Sequence, residues 1–95
     1  MLTNDQLKAA HNHSIRNHDE IQRSKICGCF YCLETYAPAA LQSWITEPET
    51  NERTAECPHC GIDSVIGDAA GFDLSPEFLR AMHKAWFEDP RMDTD

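Results

Sequence analysis

The chain lacks any apolar run near the roughly 20 residues that a bilayer-spanning helix requires, which excludes a helical membrane span. Its first 20 residues also lack the apolar stretch of an export signal and carry Asp5, Lys8, Arg16, Asp19 and Glu20 instead. Cytoplasmic residence and reduced thiols are the expectation. Basic charge is scarce: 8 Lys and Arg against 16 Asp and Glu give a formal net charge of −8 and a pI near 4.9. That balance disfavours an unaided grip on nucleic-acid phosphates or on an anionic membrane. No GxSxG, no Walker-type phosphate loop and no GxGxxG occurs, so hydrolase, nucleotide and dinucleotide templates have no support. Core-forming mass is short as well. The 95 residues, 41% hydrophobic, make one small domain over 1–95. A chain of this size buries about 60–65% of its unfolded surface, where a metal or disulfides begin to supplement the core.

Against these absences stand five cysteines. An odd number suits a disulfide framework poorly, since one thiol is left over. Four of the five form two CxxC pairs, Cys29-Phe-Tyr-Cys32 and Cys57-Pro-His-Cys60, with 24 residues between them. A CxxC turn points two thiolates at one ion, and two such turns supply four sulfurs at tetrahedral corners. The competing reading is two free or redox-active pairs, but no βαβ pattern frames either of them. Gly61 suits the left-handed residue that such a turn needs; Leu33 stands at the matching position of the first pair and fits less well. Four thiolates accept iron as well as zinc. One divalent ion on four thiolates takes the formal charge from −8 to −10.

These cysteines resemble those of zinc ribbons, and CPHCG at 57–61 is similar to the second knuckle of rubredoxins. The resemblance implies Cys29, Cys32, Cys57 and Cys60 as ligands on two knuckles around one metal. It covers 26–68 and is nearly silent on function. With CGCFYC at 27–32, CPHCGIDSVIG at 57–67 and AMHKAWF at 81–87, the whole chain is similar to small bacterial cytoplasmic proteins, a likeness that supplies no activity.

The fold expected is α+β: a small ribbon of short antiparallel strands with flanking N- and C-terminal helices. A helical arm is expected over 3–24, capped by Thr3 or Asn4, with Leu7, His11, Ser14, His18 and Ile21 on one face. A metal ribbon follows over 26–68, with strands at 33–36, 54–56 and 63–66, a two-turn helix over 38–45 and an acidic loop over 46–56. The helix over 75–88 is the best marked: Ser75 as cap, Pro76 at its first position, Leu74 stapled to Leu79, and Pro90 as its stop. Phe72, Phe78, Leu79, Met82, Trp86, Leu41, Trp44, Ile45 and Val65 are the expected core.

Among the remaining residues, Cys27 is a candidate alternate ligand, a reactive thiol activated by the metal and Lys25, or a small buried apolar residue. His11 and His18, on one helix face, are candidates for a second metal; the plainer reading is polar residues packed on the ribbon or facing water. The literal string His11-Asn12-His13 does not make a nuclease site, which disperses its residues over a ββα-metal motif. A zinc deaminase is opposed by Glu56 where Pro is needed and by a shell already filled with cysteines. Glu47, Glu49, Glu52 and Glu56, with Arg53 alone against them, read as a solvated loop or a surface for a basic protein. Tyr31, His59 and Phe30, inside the knuckles, are candidate contact residues, with Phe30 alternatively in the core. The function favoured is a non-catalytic, zinc-stabilised, cytoplasmic protein-interaction module. The alternatives are a nucleic-acid-binding ribbon, in which Lys8, Arg16, Arg23 and Lys25 supply local positive charge, and a thiol redox switch or metal-dependent enzyme.

Overall fold

The computed structural model describes residues 3–88, which form an α+β domain of short helices and two small antiparallel sheets. Helix α1, Asn4–His11, starts with a capping box: Thr3 Oγ1 accepts from the Gln6 amide at 3.1 Å and Gln6 Oε1 accepts from the Thr3 amide at 2.9 Å. A 3₁₀ turn, Asn12–Ser14, continues it, and α2 follows at His18–Gln22. The expected arm over 3–24 is therefore broken in the middle. Two short polar side chains explain the break, because each offers the backbone an alternative to the helical ladder. Ser14 Oγ donates to the His11 carbonyl at 2.7 Å, and Arg16 adopts a left-handed φ of 51°. Asn17, 2% exposed, is then drawn into the interior.

Strand β1, Cys27–Cys29, is the centre of a three-stranded sheet in the order β2-β1-β5, with β2 at Thr35–Tyr36 and β5 at Val65–Gly67. Gly67 pairs with Cys27, and a Cβ there would lie 2.2 Å from Ser24 Oγ, so the close passage of Ser24 requires glycine. The two-turn helix expected over 38–45 is replaced by one 3₁₀ turn, Pro38–Ala40, and strand β3, Ser43–Thr46. Its Trp-Ile-Thr sequence favours the pleated surface. Strand β4, Arg53–Glu56, completes a hairpin with it in the register Ser43↔Glu56 to Thr46↔Arg53. The acidic loop is thus mostly hairpin, turned at Asn51 with φ 62° and closed by the Glu47 amide donating to the Glu52 carbonyl at 2.9 Å.

Helix α3, Pro76–His83, is capped by Ser75 Oγ, which accepts from the Phe78 amide at 3.1 Å, and widens into a π-helical turn over Lys84–Glu88. Leu74 and Leu79 meet in one apolar cluster, as a staple would place them. Pro90 lies outside the described residues. None of the described helices is long and apolar enough to cross a membrane.

Two apolar clusters lie on either side of β5, because successive strand residues face opposite ways. Ile66 joins Leu7, Ala10, Phe30, Leu74, Phe78, Leu79, Met82 and Ala85; Val65 joins Ile21, Leu41, Ala55 and the cysteines. Of the expected core, Phe72, Trp44 and Trp86 sit at its margins, and Ile45 is 42% exposed because it faces outward from the hairpin.

Candidate metal centre

The two CxxC segments fold into matching knuckles. Each begins where a strand ends: β1 runs into Cys29, and β4 delivers Cys57. In the first, the Leu33 amide donates to the Cys29 carbonyl at 2.8 Å and the Cys29 amide to the Glu34 carbonyl at 2.9 Å. In the second, Gly61 donates to Cys57 at 2.9 Å and Cys57 to Ile62 at 2.9 Å. The residue after each second cysteine is left-handed, Leu33 at φ 68° and Gly61 at φ 79°. Leucine thus bears in the first knuckle a conformation that glycine accommodates freely in the second. The amides of Tyr31 and His59 each lie 3.4 Å from the sulfur two residues earlier, Cys29 and Cys57.

All four sulfurs lie within 4.8 Å of one another. Cys29 Sγ is 3.7 Å from Cys60 Sγ and Cys32 Sγ is 3.6 Å from Cys57 Sγ, so each close pair spans the two knuckles. A tetrahedral ion with metal–sulfur bonds of about 2.3 Å sets its sulfurs about 3.8 Å apart, whereas a disulfide needs about 2.05 Å. The donor set fits a soft or borderline metal in a closed shell.

The surroundings favour thiolates unevenly. Burial acts to raise the Cys57 thiol, yet hydrogen bonds from the Tyr36 hydroxyl and the His59 and Cys60 amides bring it down to about 6. Burial pushes Cys60 up to about 11 and raises Cys32 as well, with the Ile62 and Glu34 amides pulling the other way. Without a cation the cluster therefore retains protons that a metal must displace. The Tyr36 hydroxyl is buried, and the Cys57 sulfur is the polar group it approaches, too loosely for a full hydrogen bond. A metal-bound Cys57 thiolate is the acceptor that would complete this contact. Ser64 Oγ lies 3.1 Å from Cys29 Sγ on the opposite side.

Cys27 is outside the cluster. Its thiol is fully buried in the apolar cluster that holds Ile21 and Val65 and is pushed up to about 12 by burial and by Asp68, so it packs as an apolar side chain and is no accessible nucleophile. His11 and His18 do not share a helix face, because the chain breaks between them. The His11 ring stacks 4.0 Å from Trp86, whereas His18 stands 4.7 Å from Trp44 with Arg53 Nη2 2.8 Å from its Nε2. Neither histidine belongs to the candidate metal cluster found among the described residues. Phe30 is 2% exposed and belongs to the core, which removes it from the contact surface; Tyr31 and His59 are exposed. The acidic hairpin has a second cation that sequence reasoning missed, since Arg16 Nε donates to Glu47 and lies 3.4 Å from Glu52 Oε2.

Asn17 is the other residue that sequence reasoning missed. Its Nδ2 donates to the Val65 carbonyl at 2.8 Å and the His13 carbonyl at 3.0 Å, and its Oδ1 accepts from the Ala55 amide at 3.0 Å. One amide side chain thereby ties the strand that leads into Cys57 to the sheet that carries Cys29. No family model, curated protein or solved structure matches the chain, so the geometry itself carries the functional argument.

Proposed function

We propose that Cys29, Cys32, Cys57 and Cys60 hold one zinc ion as a zinc ribbon does, and that the protein is a non-catalytic cytoplasmic module that binds another protein. The observation that carries this reading is the convergence of four sulfurs from two knuckles at tetrahedral spacing. Four thiolates close the shell and leave no position for an activated water, so the ion supplies folding energy and no chemistry of its own. Iron is the competing occupant, distinguished by elemental analysis. The charge of −8 favours a basic protein surface over nucleic acid, and Tyr31 and His59 stand exposed on the two knuckles as contacts.

The test is affinity capture from the native host at moderate salt, with and without nuclease, with metal analysis of the same sample. A stoichiometric, nuclease-resistant protein partner and one zinc per chain are expected. Recovery that nuclease abolishes would replace this reading with nucleic-acid binding. Zinc lost reversibly under mild peroxide while the protein remains folded would replace it with a redox switch.

A further inference from the structure

The two sheets present four outer edges, and they are not equally closed. Strand β2 has two residues. The outer edges of β4 and β5 meet Asn17, which takes the Ala55 amide and the Val65 carbonyl, while Thr54 Oγ1 accepts from the Arg16 amide at 2.7 Å. Strand β3 pairs with β4 alone, and its Ser43, Ile45 and Thr46 are exposed.

The register says which of its backbone groups are free. In an antiparallel pair, residues alternate between facing their partner and facing away. Glu47 bonds to Glu52, so Ile45 and Ser43 bond inward to Thr54 and Glu56, and Trp44 and Thr46 present their N–H and C=O outward. The Ala55 amide, opposite Trp44, points away from β3 to Asn17, as this alternation demands. No hydrogen bond to the outward groups of Trp44 or Thr46 occurs among the described residues. The strand carries no lysine or proline, the residues that commonly block such an edge.

We infer that the free edge of β3, Ser43–Thr46, is the docking site, and that it receives an extended basic segment of the partner protein as an added antiparallel or parallel strand. The inference deepens the protein-interaction reading and rests on it. Backbone pairing to Trp44 and Thr46 supplies affinity. Charge selects the occupant: the hairpin carries Glu47, Glu49, Glu52 and Glu56, and with Arg16 on Glu47 and Glu52 and Arg53 on β4 counted against them it still bears a net negative charge in a chain of charge −8. A second copy of this chain would bring the same negative charge to the same edge, so self-pairing is opposed.

The probe is a peptide of about ten residues alternating Lys and Val, added to the zinc-loaded protein at low salt and followed by amide NMR and hydrogen exchange. Shifts centred on 42–47 and exchange slowed by about tenfold or more at the Trp44 and Thr46 amides are expected, with affinity falling severalfold as salt is raised. Thr46→Pro deletes an outward donor without touching the bonds to β4, so it should weaken binding by about tenfold. The same peptide N-methylated at alternate residues keeps its charge but cannot pair and should not bind, a control independent of how any variant folds. Binding that survives N-methylation, shifts at Tyr31 and His59 with none over 42–47, binding of a Glu/Val peptide equally well, no binding at millimolar peptide, or dimerisation through β3 would overturn the assignment. A host partner that binds Thr46→Pro with undiminished affinity would overturn the edge assignment and leave the interaction reading standing.

Discussion

Replacing Asn17 by alanine removes a side chain whose hydrogen bonds join the two sheets. Three hydrogen bonds disappear, and the Ala55 amide, the Val65 carbonyl and the His13 carbonyl lose their partner. The Ala55 and Val65 residues are fully buried, and Asn17 itself is 2% exposed, so water replaces those bonds poorly. A buried backbone group left unpaired costs about 1–3 kcal/mol, and two such groups with partial relaxation give about 2–4 kcal/mol for Asn17→Ala. Asn17→Asp is nearly isosteric but cannot donate to the two carbonyls and buries a charge, so it should cost at least as much. Asn17→Ala should also weaken zinc uptake by more than tenfold, because the strand entering Cys57 is no longer held against the Cys29 sheet. Denaturant unfolding of the zinc-loaded protein, with a competitive chelator titration, measures both. A loss under about 0.5 kcal/mol with unchanged zinc affinity would refute the bridging role.

The other predictions concern the knuckles and their packing. Cys57→Ser should abolish stable zinc binding and the cooperative fold together; a cooperative fold retained without zinc would contradict a structural metal. Cys27→Ala should retain one zinc per chain and cost about 1 kcal/mol of stability, as a small buried truncation does; zinc loss on elemental analysis would make Cys27 a ligand. At Leu33, glycine should be tolerated within about 1 kcal/mol while valine costs about 1–2 kcal/mol, since a β-branched residue suits φ 68° worst. The reverse order in thermal melts would refute the left-handed knuckle. Cys32 and Cys60 hold their protons above the ordinary thiol range, and zinc must displace them, so zinc affinity rises with pH. Each proton displaced costs about tenfold in affinity per pH unit lowered near neutrality, so Cys32 and Cys60 alone give about a hundredfold or more; a flat pH profile in chelator competition would contradict this.

The chemistry of the site was legible in the sequence because CxxC spacing is local: a turn of fixed geometry delivers both sulfurs whatever surrounds it. Helix α3 was legible for the same reason, with Ser75, Pro76 and the Leu74–Leu79 staple all inside its first turn. What escaped was set by contacts distant in sequence. Asn17 reads as an ordinary helix residue until Ala55 and Val65, 38 and 48 positions away, claim its amide and break the arm. The segment after Pro38 has apolar residues compatible with a short helix, and pairing with 53–56 makes Ser43–Thr46 a strand instead. Leu33 made the first knuckle look a poorer match than it is, since a leucine in the glycine position does not announce a left-handed residue before the backbone angle is known.

X-ray absorption at the metal edge of the protein purified from its host under reducing conditions tests the four-thiolate centre most directly. One zinc per chain with four sulfurs at about 2.3 Å and no nitrogen or oxygen neighbour is the result the proposed function predicts. A nitrogen or water oxygen in the shell, or metal-free protein that still unfolds cooperatively, would contradict it.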